Sequence, residues 1–400
     1  MPTRREDNEM KKYVHIIVIF LLCLGLMSCN ATDENTFDIP GNVFSVEKRD
    51  NGFFVQYQKQ DSNYTYVCFL NESGNIAWEH NISAASDSWN LLKNEDSFVR
   101  TADGLKDNGF ALLDKNGSLK WKIEKIDGYS DLNVAFSDNA GGVYLFGTNY
   151  NANGQSTLFH IDRNGSIVSQ KPFAKNENIS VLQGWYITDN ERWILGERTD
   201  TNTRFLSCIN ADFNAIKTFE LSKGQYPAVD FFPKEERILL YGQAYKNDSE
   251  TEYGFVYEID YHMNQKKYLE FNDCVSQSII KLKDGRWLVS AYDRKKFTKD
   301  VVKLFSADWE ETAALPVNYA FTRLFAMDDG GFAITGSSLS PGQPDEALYI
   351  SSVRPKLDLV YERYDAQSNL TSRKTYTAQN SNSGYGYYAF VDKNGRIFLF

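Results

Sequence analysis

An all-β fold built from repeated small sheets is what three features of this 400-residue chain predict. Aromatic residues are abundant, with 24 Tyr, 27 Phe and 7 Trp, and rings pack best on a pleated surface. Helical periodicity is nowhere sustained, whereas short apolar runs bounded by Gly, Asn and Asp recur along the chain. A strand-like anchor returns every 45 to 50 residues, at Phe53, Phe98, Val143, Trp193, Ile238, Trp287 and Phe332. A period of this length marks an architecture whose units bury their faces only against neighbouring copies.

Each anchor follows an acidic or Gly-containing turn, as in Gly141-Gly142-Val143 and Gly330-Gly331-Phe332, which joins a strand A to a strand B. Further on comes a second hairpin signal, as in Asp114-Lys115-Asn116-Gly117 and Asp162-Arg163-Asn164-Gly165. There the Asp side chain accepts backbone N–H groups and Gly supplies positive φ, which makes a tight turn between strands C and D. Four antiparallel strands per unit, repeated seven times, predict a β-propeller of four-stranded blades over residues 42–400, read as a single domain. The chain does not stop at seven units. Blade seven carries an insertion over 339–354, with a strand-like stretch at 347–353, and 387–398 reads as another A–B hairpin. One closure is an eighth, incomplete blade begun by the C-terminus and finished by an outer strand within 37–44; the other is seven blades with an extra docked hairpin.

At the N-terminus, Lys11-Lys12 precede an apolar run over 13–27, followed by Leu26-Met27-Ser28-Cys29. As a helix that run spans only about 22 Å, short of the ~20 residues that a bilayer core requires. The stretch resembles a bacterial lipoprotein signal with its lipobox, carried by Leu26, Ser28 and Cys29. The resemblance implies removal of residues 1–28, lipidation of Cys29, a tether over 29–41, and a cell-envelope location. The mature chain would then hang from the outer or inner membrane by its lipid, facing the periplasm or the exterior. The repeats resemble the Asp-Gly-Gly-Tyr type of propeller unit found in bacterial exported proteins, through Asp329-Gly330-Gly331-Phe332 and the run from Asp114 to Trp121. Trp78 and Trp121 also resemble, more weakly, the tryptophans of pyrroloquinoline-quinone-like propeller repeats, but they are read as packing between blades, and no cofactor is expected.

Chemistry is sparsely signalled. A net charge of −10 opposes nucleic-acid binding. Cys68, Cys208 and Cys274 have neither disulfide nor zinc spacing, and His80, His160 and His262 form no metal motif. No nucleophile elbow, phosphate loop or dinucleotide fingerprint occurs. The sequence therefore points to a non-catalytic binding or scaffold module for an envelope protein, peptide or glycan. The alternative is a propeller enzyme, a lyase, glycosidase or quinone-dependent dehydrogenase, with its site at the channel mouth. Candidate binding residues are the aromatics read as lying in loops that lead into the A strands: Trp89, Tyr129, Trp185, Tyr226, Tyr319 and Tyr385, with Asp131 and Asp230 as polar neighbours. They would either ring the channel mouth or cap the seams between blades.

Overall fold

The computed structural model describes residues 34–37, 39–59, 65–82, 89–91, 97–101, 109–123, 125–129, 131–138, 140–149, 155–173, 178–188, 191–245, 252–272, 274–293, 300–339, 357–377 and 388–400. Seven four-stranded antiparallel sheets, each ordered A-B-C-D as in the sequence, form blades 1 to 7 at 41–82, 89–123, 131–172, 179–220, 225–272, 274–315 and 320–377. The fold is a β-propeller. An eighth sheet has three strands: Ala389–Val391 as A, Ile397–Leu399 as B, and Glu34–Thr36 running parallel to B on its outer side. Glu34 pairs with Ile397 and Thr36 with Leu399.

This closes the ring as the incomplete eighth blade, with one correction. The closing strand is Glu34–Thr36 rather than a segment of 37–44, so residues 34–37 belong to the ring and not to a tether. Phe37 follows the strand and inserts its ring among Phe53, Phe398 and Phe400, with centroids 5.1 to 5.9 Å apart. Residues Gly41–Arg49 instead form the innermost strand of blade 1. The strand-like stretch at 347–353 lies outside the described residues.

Eight apolar clusters fill the eight seams between successive blades. Strands B and C, buried on both faces, supply most of each cluster; Trp193, Ile194 and Leu195 of blade 4 are examples. Strand D is outermost and mostly exposed, as in Ile167–Pro172 of blade 3.

The C–D turns form as the sequence predicts. Asn71, Asp114, Asp162, Asn210, Asp260, Ser306 and Asp365 each accept the backbone N–H groups two and four residues on, at 2.8 to 3.3 Å. The residue three places on has positive φ in all seven. In blades 1 to 3 it is Gly74, Gly117 or Gly165, but in blades 4 to 7 it is Phe213, Met263, Trp309 or Ser368, at φ of 63° to 68°.

That exchange follows the neighbouring blade. The third residue of strand D faces the next blade's turn, and in blades 1 and 2 it is Trp78 and Trp121. A Cβ on Gly117 would fall 2.1 Å from the Trp78 ring, and one on Gly165 would fall 2.8 Å from Trp121. Blades 3, 4 and 5 place Ser169, Lys217 and Lys267 there, and the facing turns carry Phe213, Met263 and Trp309. Phe213 then packs on Phe136, Tyr144 and Phe146 of blade 3. At each of these five seams one large side chain arrives either from the strand or from the turn, and in the latter case it accepts left-handed backbone to do so; between blades 6 and 7 both positions are small, Ala313 and Ser368.

The strand directions sort the connections onto two ends of the ring. A–B and C–D turns lie on one face, called the turn face below; B–C and D–A connections lie on the other, the loop face. Among the described residues no helix is long and apolar enough to cross a membrane.

Candidate functional site

The aromatics that the sequence grouped together are separated by the structure. Tyr129, just before the A strand of blade 3, sets its ring edge-on to Phe159 at 4.9 Å and donates its hydroxyl to Thr157 Oγ1 at 3.0 Å. Tyr319, just before the A strand of blade 7, is 1% exposed and donates to Glu362 Oε2 at 2.8 Å. Both rings cover a strand-B glycine, Gly147 and Gly336 respectively, where a Cβ would meet them at 3.1 and 2.3 Å. Tyr319 is thus a core residue, and offers no face to a ligand. Glu362 also accepts the Tyr364 hydroxyl at 2.8 Å and lies 3.5 Å from Arg373. Burial, reinforced by the Glu362 charge, pushes the Tyr319 phenol above its ordinary range.

Tyr226 is half-buried inside the A strand of blade 5, with the Arg204 guanidinium 4.2 Å above its ring and Tyr245 edge-on at 5.8 Å. Trp185 corrects the sequence reading in a different way. It lies well inside the strand Ile179–Thr188, opposite Trp193, and so sits toward the turn face rather than in a loop on the loop face. Its ring packs on Phe231 across the seam between blades 4 and 5, at 5.4 Å. Trp89 begins the A strand of blade 2, but its side chain, like that of Asp131 and the whole of Tyr385, lies outside the described residues. Asp230 accepts the Tyr241 hydroxyl at 2.9 Å, and burial raises its carboxyl despite that hydrogen bond. The described contacts of these aromatics therefore run within their own blade, for Tyr129 and Tyr319, or across to an adjacent one, for Trp185 and Tyr226.

A concavity among the described residues lies elsewhere, on the turn face between blades 5 and 6, with a volume of about 460 Å³. Four turns build it. The A–B turn of blade 5 supplies Glu235, Glu236 and Arg237, and its C–D hairpin Asp260, His262, Lys266 and Lys267. Blade 6 supplies Lys281 and Gly285 from one hairpin and Ala307, Asp308 and Trp309 from the other.

At its base Trp309 stacks on Trp287 with centroids 4.8 Å apart and planes inclined by 11°. The indole N–H of Trp309 donates to the buried Glu258, whose other oxygen accepts from Arg237 at 2.7 Å. Glu235 pairs with Lys281 and lies 3.8 Å from Arg237. Asp260 accepts its own turn amides and pairs with Lys266 at 3.0 Å. Partial desolvation raises the Asp260 carboxyl, but the Asn264 side chain and amide, Lys266 and the His262 amide outweigh it and hold it far below the usual carboxylate range. Exposed groups of both signs remain at the mouth: Glu236, Asp308 and Lys267.

Such an opening presents alternating charges over an aromatic floor, and its inner carboxylates are already occupied by cations and N–H donors. It suits docking of a charged segment by exchange of surface ion pairs more than proton transfer. Sequence reasoning missed it because its members come from four turns. The available signal was local: Glu235-Glu236-Arg237 occupies an A–B turn where blades 3 and 7 carry Gly141-Gly142 and Gly330-Gly331, and Lys266-Lys267 follows the partner turn.

Of the remaining histidines, one bridges a seam and the other stays within its own blade. His80 Nε2 meets the Gly117 carbonyl at 2.6 Å, bridging blades 1 and 2. His160 stacks on Tyr144 at 4.3 Å and contacts Asp138 at 2.9 Å. Asp138 is raised by burial but more strongly lowered by His160 and by the Ala140 and Gly142 amides.

No family model and no curated protein sequence matches the chain. Solved structures do match in fold. The chain is similar to the Dos1 propeller, with 13% identity, a TM-score of 0.54, and 90% of each chain covered. It is also similar to a prolyl endopeptidase, at 11% identity and TM-score 0.52, with 88% of this chain and 52% of that chain covered. Prolyl oligopeptidase B from Galerina marginata gives 10% identity and a TM-score of 0.50, with 90% and 55% covered. The chain spans about half the length of those two peptidases. These likenesses agree with the ring of blades seen here and extend to the fold alone: this chain is a β-propeller.

Proposed function

We propose that this chain is a lipid-anchored, extracytoplasmic propeller that acts as a non-catalytic binding or scaffold module for a protein, peptide or glycan partner. The observation that carries the binding role is the cleft between blades 5 and 6, whose rim alternates Glu236, Asp308 and Lys267 around ion pairs already formed by Glu235, Glu258 and Asp260. Matched charges over a stacked tryptophan pair fit a polypeptide segment carrying both signs best, because each rim charge finds a counterpart without an unpaired charge being buried. The anchor is supported by Leu26, Ser28 and Cys29 after the apolar run. The test is photo-crosslinking in intact cells from position 267, with position 200 on the loop face as control. A discrete adduct from 267 that is lost on combining Glu236→Lys with Asp308→Lys supports the reading. An adduct that forms equally from both positions, or that survives the reversal, refutes the cleft as the site.

A further inference from the structure

Resting on the lipoprotein reading above, we propose that the turn face of the propeller is held toward the membrane and the loop face points away from it. The closing strand of blade 8 carries the argument. Strand B of that blade begins at Ile397, directly after the A–B turn at 392–396, so Ile397 lies at the turn-face end. The closing strand is parallel to it and pairs Glu34 with Ile397, which puts the start of the closing strand at the turn-face end too, on the outer rim.

Only residues 30–33 separate Glu34 from Cys29. Fully extended, that stretch reaches about 17 Å. A nine-residue blade strand such as Arg237–Tyr245 rises about 30 Å from one face to the other. A lipid on Cys29, seated at the acyl boundary of the bilayer, therefore cannot reach round the rim to bring the loop face against the headgroups. The short tether selects the turn face.

A second observation agrees. The large hydrophobics most exposed among the described residues are Ile76, Leu119, Ile167, Val168, Ile216 and Leu370, at 41% to 55%. Each is the first or second residue of a strand D, immediately after a C–D turn. They lie on the outer edge next to the turn face, on blades 1 to 4 and 7, where an apolar side chain gains from the headgroup region. The acidic turns themselves, with Asp212 and Asp308 exposed and Asp114 and Asp162 half-buried, keep the disc standing off rather than sinking in. The cleft between blades 5 and 6 opens on this same face, so a partner docked there sits between propeller and bilayer.

The experiment uses the full-length lipidated protein in phosphatidylethanolamine–phosphatidylglycerol vesicles that carry a headgroup-linked acceptor dye. A donor is placed on Lys393→Cys at the blade 8 turn, or on Asp200→Cys in the B–C connection of blade 4, each with Cys274→Ser. The Lys393→Cys donor should be quenched several-fold more than the Asp200→Cys donor, and a Gly-Ser spacer of about a dozen residues inserted before Glu34 should abolish the difference. Equal quenching, or stronger quenching at Asp200→Cys, overturns the orientation; persistence of the difference with the spacer overturns the tether as its cause. Mass spectrometry of the N-terminal peptide separates the two readings. An unmodified Cys29 refutes the anchor and with it the orientation, whereas a lipidated Cys29 with a quenched loop face refutes the orientation alone.

Discussion

The exchange of a large residue between strand and turn makes a quantitative demand on the seam between blades 1 and 2. Gly117 has φ of 79°, and a Cβ there would sit 2.1 Å from Cδ2 of Trp78. Left-handed backbone costs a non-glycine residue about 1–2 kcal/mol, and displacing the indole adds about 1–3 kcal/mol of overpacking. Gly117→Phe alone should therefore destabilise by about 2–5 kcal/mol. Trp78→Ala alone should cost about 2–4 kcal/mol, because the ring is partly buried against Phe54 and Phe69 and leaves a cavity. In the double variant the phenylalanine enters the space vacated by the indole, as Phe213 does opposite Ser169. The overpacking cost disappears and the two changes should fall short of additivity by at least about 1 kcal/mol. For a domain of this size each kcal/mol moves the midpoint by about 1–2 °C, so thermal unfolding followed by far-UV circular dichroism resolves the cycle. Strict additivity would refute the idea that the two positions share one space.

Four further outcomes are expected. Tyr319→Phe removes one of two phenol donors to the buried Glu362 and should cost about 1–2 kcal/mol in denaturant unfolding, while Glu362→Ala strands both phenols and should cost more. Asp230 has its folded pKa raised by burial; the folded state then holds more protons than the unfolded one above about pH 4, so its charge costs stability at neutral pH. Asp230→Asn should be more stable than the parent at pH 7, with the gain vanishing below about pH 4 in pH-dependent denaturation. Asp260 has the opposite sign: its folded pKa is depressed, so its contribution is present above about pH 4 and lost as the pH falls below it. Asp260→Asn, which keeps the turn acceptor, should flatten that acid limb. Finally, burial and the Glu79 charge push the Cys68 thiol up to about 12, so iodoacetamide at pH 8 should leave it unmodified until denaturant is added.

Much of the ring was legible from residues. The Asp, Asn or Ser that opens each C–D turn announces itself because its partners lie two and four places away in the chain, and the strand-B anchors carry the period. The closing strand was not, because parallel pairing between the two ends of a chain leaves no hairpin signal, and the conspicuous Phe37 drew attention past Glu34–Thr36. Trp185 was misplaced for a local reason. Gly184-Trp185-Tyr186 reads as a turn, yet Gly184 pairs with Ile194 inside a strand whose register shifts at Val181/Gln183 and Tyr186/Thr188 supply the irregularity that the glycine suggested. Tyr319 and Tyr129 look like surface aromatics until the glycine they cover is seen, and that glycine lies 17 or 18 residues away in another strand. The cleft combines four turns from two blades, a proximity that only the closed ring creates.

The paired occupancy of the seams also bears on how such a chain can change over evolutionary time. A repeat protein is often pictured as interchangeable modules that can be copied or deleted one at a time. Here blade 2 offers Trp121 to a neighbour whose turn must have Gly165, while blade 3 offers Ser169 to one whose turn must bring Phe213. A copy of blade 2, which has both Gly117 and Trp121, would match at both new borders, but a copy of blade 3 set after blade 3 would bring Ser169 against a Gly165 turn and leave that border without a large side chain. Whether a duplication is viable therefore depends on how a strand D meets the turn that follows it in the next blade, so the unit of inheritance is the seam rather than the sheet.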